Sequence, residues 1–213
     1  SYVAVDPYLA TSNTVEVEVQ VLDVNDAPVV QDVFVTGNED EPVSVVFDGF
    51  DEEGHLVSYE IISIVGQGTL KLGDFVYGNG DQIQADTTGI IYQGNLDFYG
   101  VDTLTYRAID DQGAISNVGE VRLTINAVND DPIAYPLDIE TPEEQSKEIL
   151  LSWVDVDDAT VTYEVVKSPT YGVLNDVSGS IGVVYVPTSN YAGEDEFTYR
   201  VLDGGGLYSQ IVT

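Results

Sequence analysis

The sequence predicts an all-β protein built of tandem Greek-key β-sandwiches laid end to end. Three observations carry that prediction. Apolar residues alternate with period two in most segments, and no ten-residue stretch shows a capped helical period. One long signature also recurs at fixed spacing. Tyr2-Val3-Ala4-Val5-Asp6 through Asn25-Asp26-Ala27-Pro28 returns as Tyr106-Arg107-Ala108-Ile109-Asp110 through Asn129-Asp130-Asp131-Pro132. Tyr2 to Tyr106 and Pro28 to Pro132 both span 104 residues (106 − 2 and 132 − 28). A third copy begins at Tyr199-Arg200-Val201-Leu202-Asp203. A sandwich of seven short strands takes about 100 residues, so the period counts domains.

The elements follow in order. Thr14-Val15-Glu16-Val17-Glu18-Val19-Gln20-Val21 alternates strictly, which places Val17, Val19 and Val21 on a buried face and the acidic residues outside. Gly119-Glu120-Val121-Arg122-Leu123-Thr124-Ile125 repeats the pattern. Further strands are expected at 43–47, 58–65, 90–93, 102–109, 161–166, 181–186 and 196–202. Gly78-Asn79-Gly80-Asp81, Asp111-Gln112-Gly113 and Asp203-Gly204-Gly205-Gly206 supply turns between them.

Internal alignment sharpens the boundaries. Asp51, Tyr59 and Gly68 match Asp155, Tyr163 and Gly172 at 104, whereas Ile91, Tyr92 and Tyr106 match Val184, Tyr185 and Tyr199 at 93. The difference, 104 − 93 = 11, is an insertion between Leu70 and Ile91, expected as a long hairpin loop at 73–86. The expected domains are 1–27, the last two strands and linker of a truncated repeat; 28–131, a complete sandwich; and 132–213, a second sandwich lacking most of its last strand. The pattern is entered and left midway, so an interior segment of a longer protein is expected.

Composition narrows the partners. The chain carries 38 Asp plus Glu against 6 Lys plus Arg, a formal charge of -32. Phosphate backbones are repelled by such a surface, which excludes nucleic acid. Cations are attracted. Hydrophobic residues make up 43% of the chain, with 14 Tyr and 6 Phe, enough to build cores and unlike a disordered acidic tail. Cysteine is absent, so neither disulfides nor thiol chemistry contribute. No apolar run approaches the roughly 18 residues of a membrane span, so no membrane insertion is expected of this segment.

The linker motif resembles a known family. Tyr-x-Ala-x-Asp, an alternating strand and then Asp23-Val24-Asn25-Asp26-Ala27-Pro28 resembles the close of a cadherin repeat. Asn190-Tyr191-Ala192-Gly193-Glu194-Asp195-Glu196-Phe197-Thr198-Tyr199 is similar to bacterial cadherin-like tandem repeats. Those occur in large extracellular adhesins, including the RTX type, and in secreted polysaccharide-degrading proteins. The resemblance implies a cadherin/Ig-like fold, an extracellular setting and Ca2+ between successive domains.

It also implies ligands. The first junction would use Asn25, the carbonyl of Ala27, Asp51, Glu53 and Asp110. The second would use Asn129, the carbonyl of Asp131, Asp155, Asp157 and Asp203. Asp26 and Asp130 would serve ions on the lower side of each linker, with Glu39 and Asp97 at the second. Two carboxylates of the family pattern are missing: Asp23 is matched by Ala127, and the Asp-x-Glu of the domain base reads Asp97-Phe98-Tyr99. Fewer than three ions are therefore expected at the second junction. Calcium chemistry agrees, because the ion takes six to eight hard oxygens at roughly 2.3–2.6 Å.

Other acids read differently. Glu16, Glu18, Glu140 and Glu148 are expected to be solvated surface. Asp102 and Asp195 match at 93 and each opens a strand, which favours a hydrogen-bonding role over metal. Tyr106 and Tyr199 are expected to pack inside near a sandwich corner. Trp153 has no counterpart in the first repeat; core or inter-domain packing is expected for it, with sugar stacking as the alternative. His55 is the single histidine, no Ser-His-Asp set or phosphate loop exists, and no enzyme is expected. The functional expectation is a calcium-binding extender of an extracellular adhesin. The alternative is a carbohydrate- or protein-binding module of a secreted polysaccharide-degrading protein. Partners beyond calcium are polysaccharide, or other copies of the chain adding a strand to an open edge.

Overall fold

The computed structural model describes residues 1–22, 24–54 and 56–213. Asp23, counted above as a carboxylate of the first linker, and His55 lie outside the described residues. Contacts divide the chain into two compact units. One comprises Ser1–Val35, Val43–Gln93 and Asp102–Leu123; the other comprises Thr36–Pro42, Gly94–Val101 and Thr124–Thr213.

The first repeat contains β1 (Val29–Val30), β2 (Val33–Asn38), β3 (Val43–Ser44), β4 (Gly49–Phe50), β5 (Leu56–Val65) and β6 (Gly68–Leu72). It continues with β7 (Phe75–Tyr77), β8 (Gln82–Gln84), β9 (Ile91–Gly94), β10 (Gly100–Asp110) and β11 (Gly119–Asn126). One sheet has the order β2-β11-β10-β5-β8 and the other β3-β9-β6-β7, with β1 and β4 paired beside them. Long alternating strands build the core. In β10 the buried positions are Asp102, Leu104, Tyr106, Ala108 and Asp110, and in β11 they include Val121, Leu123 and Ile125. Tyr106 stands opposite Ile61 and Ala108 opposite Tyr59, so both partners of each pair face inward.

The second repeat contains β12 (Ile133–Tyr135), β13 (Lys147–Leu150), β14 (Ser152–Val154), β15 (Thr162–Lys167), β16 (Gly172–Asp176), β17 (Gly182–Pro187) and β18 (Thr198–Leu202). Its ladders are β13-β17-β16, β15-β18 and β12-β14. Ala134, Ile149, Leu151, Val161, Val183, Tyr199 and Val201 form its core. Trp153 is partly buried and packs against that cluster, which gives it a core role.

The tyrosine expectation holds in both repeats. Tyr106 and Tyr199 are 0% and 1% exposed. The Tyr106 hydroxyl donates to the carbonyls of Gln31 (2.6 Å) and Asp48 (2.9 Å), and that of Tyr199 to Tyr135 (2.6 Å) and Ser152 (3.2 Å). Burial pushes the Tyr106 hydroxyl up to about 12. Asp102 and Asp195 are hydrogen-bond acceptors, as expected. Asp102 takes the Tyr92 hydroxyl (2.5 Å) and the backbone amides of Gln67 and Thr103. Asp195 takes the Tyr185 hydroxyl (3.0 Å) and the amides of Thr170, Tyr171 and Glu196.

Three expectations are corrected. Residues 16–21 form no strand, and Val17, Val19 and Val21 are 64%, 76% and 88% exposed. Alternation buries a face only when a ladder holds the strand against a core. Here the segment's pairing among the described residues stops at the bridges Tyr2↔Val15 and Val5↔Thr11. The insertion at 73–86 is also no plain loop. It supplies β7, which pairs with β6 in one sheet, and β8, which pairs with β5 in the other. The predicted strand at 43–47 keeps ladder pairing only at Val43–Ser44, although Val45 and Phe47 stay buried.

Candidate metal centre

Strand parity places the first candidate carboxylate. Because Tyr106 and Ala108 point inward, Asp110 does too, and it is only 3% exposed. The turn that follows satisfies it: Oδ1 accepts the amides of Gln112 (2.9 Å) and Ala114 (2.7 Å). Its Oδ2 accepts the Asn25 side-chain amide at 2.8 Å, tying the linker to the strand end. That amide, with the backbone amides of the turn, outweighs burial and holds the Asp110 carboxyl below its ordinary value. Gln112 Nε2 donates to Asn25 Oδ1 at 2.8 Å and completes a ring of three side chains.

The second repeat rebuilds this clasp. Tyr199 and Val201 point inward, and Asp203 follows at 7% exposure. Its Oδ1 accepts the amides of Gly206 (2.5 Å) and Leu207 (2.8 Å), and its Oδ2 accepts the Asn129 side-chain amide at 2.7 Å. Burial pushes the Asp203 carboxyl up, but Asn129 and the backbone amides of Leu207, Gly206 and Gly205 outweigh it and hold it below its ordinary value.

Around the second linker the other acids converge. Asp155 Oδ1 accepts the amides of Asp157 (2.9 Å) and Asp158 (2.8 Å), a side-chain-closed turn that points its other oxygen away. Asp158 Oδ2 accepts the Gly204 amide at 2.7 Å, and Asp157 Oδ2 accepts the Asp130 amide at 2.8 Å. Glu39 follows the last residue of β2, and its amide donates to the Asn126 carbonyl at 3.0 Å. Its Oε1 accepts the Val128 amide at 2.7 Å.

Three carboxylate groups result, each with oxygens within 4.8 Å of one another: Glu39-Asp130-Asp157, Asp40-Asp97-Asp130 and Asp155-Asp158-Asp203. Residues from Thr36–Pro42, Gly94–Val101 and beyond Thr124 supply them all, within one compact unit. Two carboxylates about 4.8 Å apart repel by about 3.5 kcal/mol at an effective dielectric near 20. Asp130 registers that repulsion: desolvation first, then Asp40, Asp157, Asp97 and Glu39, push its carboxyl above its ordinary value. Glu39 is 4% exposed, and its Oε2 finds no hydrogen-bond donor; Oδ2 of Asp130 and Oδ2 of Asp155 are likewise buried without one. Burying acceptors without donors is costly, and a cation would satisfy them. An ion bound at about 2.4 Å to each ligand spans oxygens up to about 4.8 Å apart, so the spacing fits calcium.

The predicted ligands divide accordingly. Glu39, Asp97, Asp130, Asp155, Asp157 and Asp203 enter these groups. Asp157 lies in the group of Glu39, whereas Asp158 joins Asp155 and Asp203. Asn129 reaches the third group through Asp203, while Asp131, predicted to offer its backbone carbonyl, is exposed and its carboxylate enters no group. At the first linker Asn25 and Asp110 meet, Asp51 is buried, and Glu53 Oε2 is buried without a donor. Asp26 and Ala27 are exposed, and the described acids there form no comparable group of three.

Asp40 and Asp158 escaped the sequence reading. Asp158 aligns with Gly54 at 104, so the repeat hid it. Asp40 had a conformational counterpart: Asp40 and Asp97 take positive φ (59° and 57°), as do Glu144 and Asn190 (61° and 59°) at the matching offsets of 104 and 93.

Tandem sandwiches joined by acidic linkers define a modular, repeat-built protein. The chain belongs to the bacterial Ig domain family, whose model matches residues 25–124 and 129–213. No curated protein matches it. Among solved structures it is similar to Drosophila N-cadherin EC1-4, at 17% identity and TM-score 0.49, over 88% of this chain and 49% of that one. It is similar to an endo-fucoidan hydrolase of glycoside hydrolase family 107, at 14% and 0.36, over 87% and 28%. It is also similar to the SGBP-B protein of a Bacteroides ovatus mixed-linkage glucan utilization locus, at 13% and 0.29, over 89% and 48%. The chain spans less than half the length of each of these three.

Proposed function

We propose that this chain is a calcium-binding extender of an extracellular bacterial adhesin, of the RTX type by its repeat signature. It acts without catalysis, and ions at the second linker stiffen it. The observation that carries the reading is Glu39: a carboxylate 4% exposed, one oxygen held by the Val128 amide and the other without a donor, facing Asp130 and Asp157. A binding energy for a divalent ion is stored there as unrelieved repulsion, and without the ion the linker acids push apart. Asp40 with Asp97, and Asp155 with Asp158 and Asp203, supply further oxygens. In this reading the extender presents distal modules, and its other partners are polysaccharide or further copies of the chain.

Calcium titration by calorimetry, with small-angle scattering on the same samples, tests this. We expect saturable binding of at least two ions with dissociation constants of about 10⁻⁴ to 10⁻³ M. The maximum dimension should become fixed on loading. Glu39→Gln keeps the acceptor for Val128 but removes the charge, so it should lose one ion while the fold persists. Absence of heat at millimolar calcium would sink the reading and leave these acids as solvated surface. The polysaccharide-binding module would then take its place.

A further inference from the structure

We propose that residues 14–22 of one copy of this chain add as a strand to residues 193–197 of a second copy. This gives the self-association named above a strand, an edge and a register, and it stands apart from the cation sites. In the first repeat the same edge is closed from within. There β11 pairs with β10, and Val121, Leu123 and Ile125 cover the core at 0%, 1% and 4% exposure. In the second repeat the corresponding hairpin pairs only at the bridges Leu202↔Tyr208 and Tyr199↔Val212. Residues 193–197, the counterparts of Gly100–Leu104 in β10, lie in no strand, and among the described residues no strand pairs with them.

The core beneath that edge is correspondingly less covered. Leu70, Tyr92 and Leu104 are 0%, 1% and 2% exposed, whereas their counterparts Leu174, Tyr185 and Phe197 are only partly buried. Residues 14–22 show the complementary defect. Val17, Val19 and Val21 match Val121, Leu123 and Ile125 at 104, yet they stand exposed and outside any ladder. The bridges fix how the two halves meet, because Tyr2↔Val15 and Tyr199↔Val212 are the same bridge at an offset of 197 (104 + 93). Continuing that antiparallel register sets Val17 opposite Phe197, Glu18 opposite Glu196 and Val19 opposite Asp195. The valines then face the core, and Glu18 and Glu196 face solvent together. An unpaired edge is a template for such strand addition. Each copy offers both a strand and an edge, so the contact is head to tail and the assembly grows with concentration.

The test is sedimentation of the whole chain across micromolar concentrations in EDTA, with hydrogen exchange on the same samples. The average mass should rise with concentration, and the amides of residues 193–197 should gain protection as it does. Val19→Asp alters an exposed side chain, so the fold persists, and it should leave a monomer at every concentration. Glu18→Lys should lower the midpoint concentration about five-fold, because it replaces a like-charge pair across the new ladder by an opposite-charge one. Merely sticky valines would associate without protecting residues 193–197 and without a response to Glu18→Lys. That result, or a mass that stays monomeric in the unmodified chain, overturns the inference. Because no calcium is present, either result leaves the cation reading where it stood.

Discussion

In the first linker Asn25 is held from two sides, by Asp110 through its amide nitrogen and by Gln112 through its oxygen. In the second, Asn129 is held by Asp203 through its nitrogen, and Gly205 stands where Gln112 did. The carboxylates differ as well. Around the second linker three groups assemble, two of them sharing Asp130, while the described acids of the first assemble none. The scaffold beneath is the same: a fully buried Tyr, Tyr106 or Tyr199, bonds the neighbouring carbonyls in each repeat. The groups presented at a junction therefore vary through a few turn residues while the sandwich that aims them stays constant. This is the division of labour expected of loops on a rigid β scaffold.

The largest expected effect probes that shared scaffold. Asp102 is 3% exposed, whereas its counterpart Asp195 is half-buried; each accepts one Tyr hydroxyl and backbone amides, two at Asp102 and three at Asp195. Asp102→Ala removes the acceptor of a buried Tyr92 hydroxyl and of two backbone amides, and should cost about 3 kcal/mol or more. Asp195→Ala should cost about 1 kcal/mol, since water replaces most of what is lost. Denaturant unfolding separates the two. Trp153 lies in the second repeat and is the single tryptophan, so its fluorescence midpoint should move for Asp195→Ala alone. Equal costs would show that the two repeats bury this acid equally in solution.

The next effect strikes the difference between the linkers directly. Gly205→Ala forces a Cβ into the Asn129 amide, and overpacking of this kind costs about 1–3 kcal/mol. Asn129 should leave Asp203, seen as loss of the downfield shift of its side-chain amide protons. Gln112→Ala should cost no more than about 0.5 kcal/mol, because that side chain is exposed and water replaces its bond to Asn25. If Gly205→Ala left the Asn129 signal in place, the glycine would not be what keeps the second clasp open.

Much of this was legible in the sequence, for identifiable reasons. Period-two alternation named β10 and β11, because both are long and paired on both sides, and the pattern alone then implied an inward Asp110. The same alternation misled at 16–21, where the face is identical but no ladder holds it. Periodicity reports what a strand would bury, and pairing decides whether it does. The repeat offset found Asp51, Asp110, Asp155 and Asp203 by symmetry, yet symmetry hid Asp158, which faces a glycine across the alignment. It also could not place Asp157 and Asp158 in separate groups. That depends on the turn closed by Asp155, a three-dimensional consequence of two hydrogen bonds to one oxygen. Gln112 was seen only as turn punctuation, since the reach of its side chain to Asn25 crosses 87 residues.

The smallest expected effect comes from pH, and it separates the shared clasps from the second linker's own acids. Asp110 and Asp203 both sit below their ordinary value of 3.8, so each contributes stability that is present above that value in the unfolded chain. That contribution is lost as pH falls through the depressed folded value. Both repeats should therefore lose stability together in that acid window. Asp130 has the opposite sign. Its folded carboxyl is raised by burial and by Asp40, Asp157, Asp97 and Glu39, so its contribution is present below 3.8 and lost as pH rises through the raised value. In calcium-free protein, acidification should first relieve the repulsion around Asp130 and only later open the clasps. Denaturant midpoints followed against pH should then rise slightly before they fall for the transition that includes the second linker. Asp130→Asn should abolish the rise and leave the fall untouched, because the clasps draw their depression from Asn25 and Asn129 and from turn amides, not from Asp130. A monotonic fall in the unmodified chain would mean that the acids around Asp130 are spread by solvent and do not press on it.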